Sequence, residues 1–424
     1  MKNIINRLIH KKNKQLLNLN SFEKLKKETE ISKIFQSFSR YSENSEVRYV
    51  GGCIRKILNK EKVDDIDLAV NLDPGIVCDI LNKANIKYFK SGISHGTITA
   101  LIKNQKFEIT SLRKDLISYG RHAKVEFCES WQEDASRRDF TINSIYSDIH
   151  GNLYDPFEGK KHLAEGKIKF IGEPEKRIKE DYLRILRYIR FFLNYSKLQH
   201  EPNIKKIIKK NLDGISKISS ERLMDELRKI FLSKGFFNLL KDEFSIEIIK
   251  LIFPQIQNIK IFKNLNDDKI EILKNQDFIL LISVMIIDES DNAEYFLYKY
   301  NLSNEEKRRI KFLYNHFSKP IENNFFSKDN LWKIYYFNNK KYLEDLINFK
   351  ILKSKKKETK LVNLKKYFSD KNCPRLPIKA EYLMNNYKLR EGKLLGTKLK
   401  EIEIAWLDND FKITDKEIKN IMKY

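Results

Sequence analysis

Cysteine is scarce. Cys53, Cys78, Cys128 and Cys373 are the four in 424 residues, and no two are spaced like metal ligands. A disulfide-stapled scaffold and a cysteine-held zinc site are therefore excluded, and a reducing, cytoplasmic compartment is expected. Long apolar runs are missing too. No uninterrupted stretch approaches the ~20 residues of a membrane span, and the basic start MKNIINRLIHKKNKQLLNLN lacks the apolar core of a signal peptide. Acidic charge is in short supply: 82 Lys+Arg face 58 Asp+Glu, a formal net charge of +24. That imbalance predicts a polyanionic partner, nucleic acid ahead of an anionic membrane surface. The chain is still 41% hydrophobic and 12% aromatic, too apolar to be disordered, and at 424 residues too long for one ordinary core.

Glycine is thin as well, with only 14, and most of them lie between Gly51 and Gly172. There they punctuate short β-rich runs: VRYVGG, DIDLAV, GTITALI and KFEITSL. The alternation predicts a mixed or antiparallel sheet with helices, one of them opened by Asp73 and Pro74. From about Pro174 the texture changes to helical periodicity almost free of glycine. EPEKRIKEDYLRILRYIRFFLNYS reads as one helix, and SSERLMDELRKIFLS as another with Ser219 or Ser220 as its cap. The expected class is α+β, a mixed-sheet head followed by an all-helical remainder.

Within the head, two adjacent glycines precede a closely spaced carboxylate pair in YVGGCIRKILNKEKVDDIDLAV. Asp65 and Asp67 are two apart, so on a strand they share a face and repel unless a cation lies between them. A hard divalent ion with oxygen ligands, Mg²⁺ above all, suits such a pair. Glu108 in KFEITSL joins them if the two strands are neighbours, and three carboxylates around two Mg²⁺ suit nucleotidyl transfer. Gly51 and Gly52 let backbone N–H groups approach a phosphate, and Arg55 adds a side-chain clamp. Each feature has a plain structural alternative: a surface Asp-x-Asp turn, an exposed strand glutamate. His95 in SHGTIT reads as a turn residue, and His122 in GRHAKV has no partners for a metal site.

The blocks continue in order: SGISHGTITALI, FEITSLRKD, YGRHAKVEF, DASRRDFTINSIYSD, YDPFEGKKHL, KFIGEPEKRIKEDYLRILRYIRFF and ISSERLMDELRKI. From about Tyr49 to Lys229 the sequence resembles the bacterial CCA-adding enzymes, class II tRNA nucleotidyltransferases of the polymerase-β-like superfamily. The likeness is weaker near the C-terminus, over PIKAEYLMNNYKLREGKLLGTKLKEIEIAWL. It implies a polymerase-β-like nucleotidyltransferase head over 41–172, after an extension over 1–40 of no assigned role. A helical neck with a base-recognition helix over 173–235 and a tRNA-binding body and tail over 236–424 complete the expected division. It also implies Asp65 and Asp67 as metal ligands with Glu108 as the third catalytic carboxylate. Gly51, Gly52 and Arg55 match the triphosphate block. Arg137, Arg138, Asp139 and Asn143 match a block associated with ribose and phosphate contacts. Asp155 and Gly159 match a hinge block, and Asp181, Arg184 and Arg187 match the protein template for the incoming base. ATP and CTP are the implied substrates beside tRNA.

The template chemistry follows from hydrogen bonding. Asp181 and Arg184 are three apart, hence expected on one face of one helix. A carboxylate acceptor beside a guanidinium donor matches the amino group and ring nitrogen of cytosine or adenine, and mismatches guanine and uracil. The bland alternative is an ordinary ion pair along a helix. The sequence departs from the pattern at Lys56, where an Asp is usual, at His162-Leu163, where Asp-Leu is usual, and at AEYL, where Gly-x-Asp-Leu is common. None of these removes a metal ligand or a base-reading residue. The segment RKDLISYGRHAKVEF falls where the family has a mobile loop needed for the final A, which argues against CC-only addition. The rivals are a poly(A) polymerase, a partial CC- or A-adding enzyme, and a non-catalytic RNA-binding protein on the same fold. A dinucleotide-binding oxidoreductase is disfavoured because no Gly-x-Gly-x-x-Gly follows the first strand.

Overall fold

The computed structural model describes residues 20–117, 124–263, 265–275, 277–322 and 324–423. His122 and the centre of its segment lie outside the described residues. The chain forms two compact units, Met1–Asn238 and Leu239–Tyr424.

The first unit is built on a seven-stranded sheet in the order β3-β4-β5-β2-β1-β8-β9. The strands are β1 (Val47–Val50), β2 (Ile66–Val70), β3 (Lys87–Gly92), β4 (Thr97–Ile102), β5 (Gln105–Ser111), β8 (Tyr146–Ser147) and β9 (Leu153–Tyr154), with β6 (Arg113–Ile117) and β7 (Lys124–Phe127) as a separate ribbon. All four runs read as strands from their alternation are strands. β4 alternates half-buried and buried residues along its length, the mark of a sheet covered on one face. Every ladder in the large sheet is antiparallel except β2 with β5, which run parallel with Asp67 opposite Glu108.

Helices α1 (residues 20–28), α2 (Ile31–Ser39), α3 (Gly52–Leu58), α4 (Pro74–Lys83), α5 (Trp131–Arg137) and α6 (Gly159–Glu165) surround or follow these strands. α4 opens as expected: Asp73 accepts the Gly75 N–H at 2.8 Å and Pro74 fills the first helical position. His95 sits exposed in a 3₁₀ turn closed by Gly96 at φ 77°.

The helical part of this unit is α7 (Pro174–Glu180), α8 (Arg184–Tyr195), α9 (Pro202–Lys210) and α10 (Ser220–Phe231). The single helix expected over Glu173–Ser196 is two. At Asp181 the backbone turns extended (φ −153°, ψ 104°), and its carboxylate accepts the Leu183 N–H at 3.2 Å, so the aspartate starts a new helix instead of continuing the old one. Ser219 holds the cap position of α10, but its side chain makes no bond to the helix. Phe140 packs on Tyr188 and Phe191 of α8 and Phe170 packs on Tyr188, with centroids 5.4 to 6.4 Å apart, which ties α8 to the head.

The second unit is helical in its described residues. Its centre is Phe278–Ile286, apolar at all but one position and buried at every one, as an all-round hydrophobic helix requires. Asp277 caps it and also pairs with Arg309 at 2.8 Å and Lys341 at 2.6 Å, while Arg309 grips Asp345 with two bonds of 2.6 and 2.8 Å. Leu383, Leu395, Ile402 and Ile418 form a further core near the C-terminus. Among the described residues no helix is long and apolar enough to cross a membrane.

Candidate active site

The turn after β1 needs glycine. Gly51 has φ 67° and ψ −117°, which an L side chain adopts only with strain, and it hands the chain to α3. A Cβ on the next residue, Gly52, would lie 3.8 Å from an Asp67 carboxylate oxygen and 3.9 Å from Arg55 Nη2. Backbone, carboxylate and guanidinium thus converge on one spot.

That spot is the floor of a cavity of about 420 Å³. Six arginines reach it: Arg55, Arg137, Arg138, Arg184, Arg187 and Arg190. Asp67, Asp139 and Asp181 are its acidic lining, so its field is cationic, suited to a polyphosphate. Gly51, Gly52 and Asn143 line it too, so most of the residues singled out from the sequence stand around one space. Asp65 and Glu108 do not line it but flank Asp67. The Asp67 carboxyl is pushed up by burial, then by the charges of Glu108 and Asp65, against the pull of Arg138 and Arg55. Two like charges raising a third is the situation a divalent cation relieves, and carboxylate oxygens are its proper donors. Asp65 and Asp67 therefore fit such an ion by chemistry. Among the described residues no three His, Cys, Asp or Glu groups close into a metal cage.

The arginines are held in part by residues that sequence reasoning passed over, Asp134 and Glu226. Asp134 on α5 is buried and accepts from Arg137 Nε at 2.8 Å, Arg138 Nη2 at 3.0 Å and Tyr146 Oη at 2.7 Å. Burial works to raise its pKa, but the two guanidiniums win and hold its carboxyl far below the usual range. Asp139 accepts from Asn143 Nδ2 at 2.8 Å and from Arg187 Nε at 2.6 Å, and Asn143 accepts from Arg55. Arg190 pairs with buried Glu226. Phe191 has the guanidinium carbons of Arg55, Arg187 and Arg190 at 4.8, 5.5 and 4.2 Å from its ring centre. An aromatic quadrupole among three cations offsets part of their mutual repulsion. Asp134 stands in WQEDASRR, which reads as an exposed helix; only the tertiary fold buries it.

Asp181 and Arg184 both line the cavity, but not as one helical face. Asp181 sits in the α7–α8 junction and pairs with Arg222 of α10 at 2.7 Å, while Arg184 donates to Glu180 at 2.6 Å and to the Arg177 carbonyl at 2.7 Å. The ordinary ion pair between them is not formed, and each presents its remaining hydrogen-bonding capacity near the cavity. Asp155 and Gly159 stand elsewhere. Asp155 accepts the Gly159 and Lys160 N–H groups at 2.7 and 2.8 Å, and a Cβ at Gly159 would lie 2.1 Å from the Thr141 carbonyl oxygen. They dock α6 on the 3₁₀ turn that carries Asn143.

Helices thus follow a mixed sheet that sets paired strand carboxylates and a glycine turn beside an arginine-lined cavity. Residues 47–169 match the family described as Poly A polymerase head domain, and residues 197–260 match Probable RNA and SrmB-binding site of polymerase A. The chain is 40% identical over 216 residues to human mitochondrial CCA tRNA nucleotidyltransferase 1, covering 50% of this chain and 49% of that one. It is 30% identical over 272 residues to the CCA-adding enzyme of Lactobacillus johnsonii, covering 62% and 66%. The chain spans about half the length of the first of these curated relatives. The fold matches Bacillus stearothermophilus CCA-adding enzyme in complex with CTP at TM-score 0.67, with 20% identity and coverage of 92% and 95%. It matches Thermotoga maritima CCA-adding enzyme complexed with tRNA at 0.59, with 20% identity and coverage of 92% and 94%.

Proposed function

We propose that this protein is a template-independent tRNA nucleotidyltransferase that adds C, C and A to the tRNA 3′ end from CTP and ATP, releasing pyrophosphate. The observation that carries the reading is Asp67 in register with Glu108, beside the Gly51 turn and at the floor of a cavity ringed by arginines. Gly51, Gly52, Arg55, Arg137 and Arg138 hold the triphosphate; Asp139 and Asn143 fix Arg187 and Arg55 around it. Asp181 and Arg184 present acceptor and donor to the base edge, with Arg187 beside them. Asp65 and Asp67 hold Mg²⁺, with Glu108 as the third carboxylate. When bound there, Mg²⁺ lowers the pKa of the attacking 3′ hydroxyl and neutralises charge on the leaving pyrophosphate. The helical remainder grips tRNA through phosphates and duplex shape. The reaction belongs in a reducing compartment, the cytoplasm, in keeping with four free thiols.

The test is nucleotide addition to a tRNA transcript lacking its CCA end, with Mg²⁺ and CTP, ATP or both. Addition that stops at three with both nucleotides is the expected result. A long ladder with ATP alone, in line with the name of the head-domain family, would mean a poly(A) polymerase. A stop at two despite ATP, or addition only to a substrate ending in CC, would mean a partial enzyme. No addition with intact tRNA binding would mean a non-catalytic RNA-binding protein.

A further inference from the structure

Arg177 of α7 does not line the cavity, yet it touches both of its walls. Its Nη2 donates to the carbonyl oxygens of Arg137 and Arg138, at 2.5 and 2.6 Å, where α5 ends in the head. Its Nη1 donates to Glu180 at 2.6 Å, and the same Glu180 oxygen accepts from Arg184 at 2.6 Å. Its own carbonyl accepts from Arg184 at 2.7 Å. One guanidinium fork therefore joins the backbone that carries two cavity arginines to the side chain of a third. The α7–α8 break makes this possible: it frees Asp181 from the helix and leaves Arg184 to be held by residues of the preceding one.

We infer that Arg177 is a positioning residue for base selection, coupling the phosphate-holding segment Arg137–Arg138 to the base-facing Arg184 through Glu180. This rests on the reading of Arg184 as a contact to the incoming base. A guanidinium is needed because its planar, fixed donors serve three oxygens at once, and a lysine ammonium on a single flexible stem does not reproduce that fork. A nucleotide that seats its triphosphate against Arg137 and Arg138 is thereby registered against Arg184, so base discrimination depends on a residue that touches neither base nor phosphate.

The experiment compares wild type, Arg177→Lys, Arg184→Lys, the double variant and Glu180→Gln on tRNA lacking its CCA end. CTP is set against UTP, and ATP against GTP on substrate ending in CC. Arg177→Lys is expected to lose about tenfold in discrimination, the scale of one good paired base contact. KM for CTP should rise more than kcat falls, and the double variant should discriminate no worse than Arg184→Lys alone. Glu180→Gln cuts the same relay one link on and should relax discrimination likewise. Wild-type discrimination in folded Arg177→Lys, or losses that multiply in the double variant, overturns the proposal. Wild-type discrimination in Glu180→Gln does so even if Arg177→Lys fails to fold. If Arg184→Lys itself keeps wild-type discrimination, the base-reading assignment falls and the proposal with it, a pattern distinct from a flat result at Arg177 alone.

Discussion

At Asp67, burial and the neighbouring charges of Glu108 and Asp65 raise the folded pKa of a carboxylate that the proposed metal binding requires ionised. A carboxyl whose folded pKa is raised contributes stability below its unfolded pKa and loses it as pH rises through the folded value. At neutral pH the ionised group therefore weighs against the fold. Asp67→Asn is expected to raise the melting temperature measured at pH 7 in chelator, and to show no such gain at about pH 3, where the wild-type group is protonated. Transfer activity should disappear in the same variant. A variant no more stable than wild type at pH 7 would contradict this account. Asp134 and Asp139 have the opposite sign: their guanidinium partners lower the folded pKa, so their contribution is present at neutral pH and fades in acid.

Among the elements, the strands around the carboxylates were legible because alternation survives in a sheet with one covered face, as in β4 and β5. That β2 and β5 are neighbours was only a condition in the sequence, since strand pairing is non-local. The α7–α8 break was missed because the apolar residues Ile178, Ile185, Leu186 and Ile189 keep a helical rhythm across it, and all four are buried. The available signal was Asp181 itself, a good residue for opening a helix. Arg177 and Asp134 carried no signal, since a charged residue on an amphipathic helix reads as solvated until its partners are known. At α6 the steric demand is explicit. Gly159→Ala should cost about 1–3 kcal/mol in a denaturant titration, because the new methyl meets the Thr141 carbonyl oxygen and Ile145. Wild-type stability would mean that α6 shifts freely on the turn beneath it.

For the whole molecule, the charge of +24 is the property most legible from sequence alone, and its consequence is thermodynamic. Affinity for tRNA should fall about a hundredfold between about 50 and 200 mM salt, as about four released counterions require. Filter binding or anisotropy at several salt concentrations measures the slope; a flat line would mean the lysines are only solvated surface. The sheet order has a different consequence, one of timing. β2 and β5 lie on opposite sides of the β3–β4 hairpin in sequence yet side by side in the sheet, and β1 waits for β8 on its other edge. A chain leaving the ribosome therefore exposes Asp67 well before Glu108 exists to face it. Of the two arginines that counter Asp67, Arg55 on α3 precedes it, but Arg138 at the end of α5 arrives later still, as do the cavity arginines of α8. Every growing chain passes through a stage in which its acidic centre is made and its cationic frame is only begun, and pairing of such high sequence separation is where folding is slow.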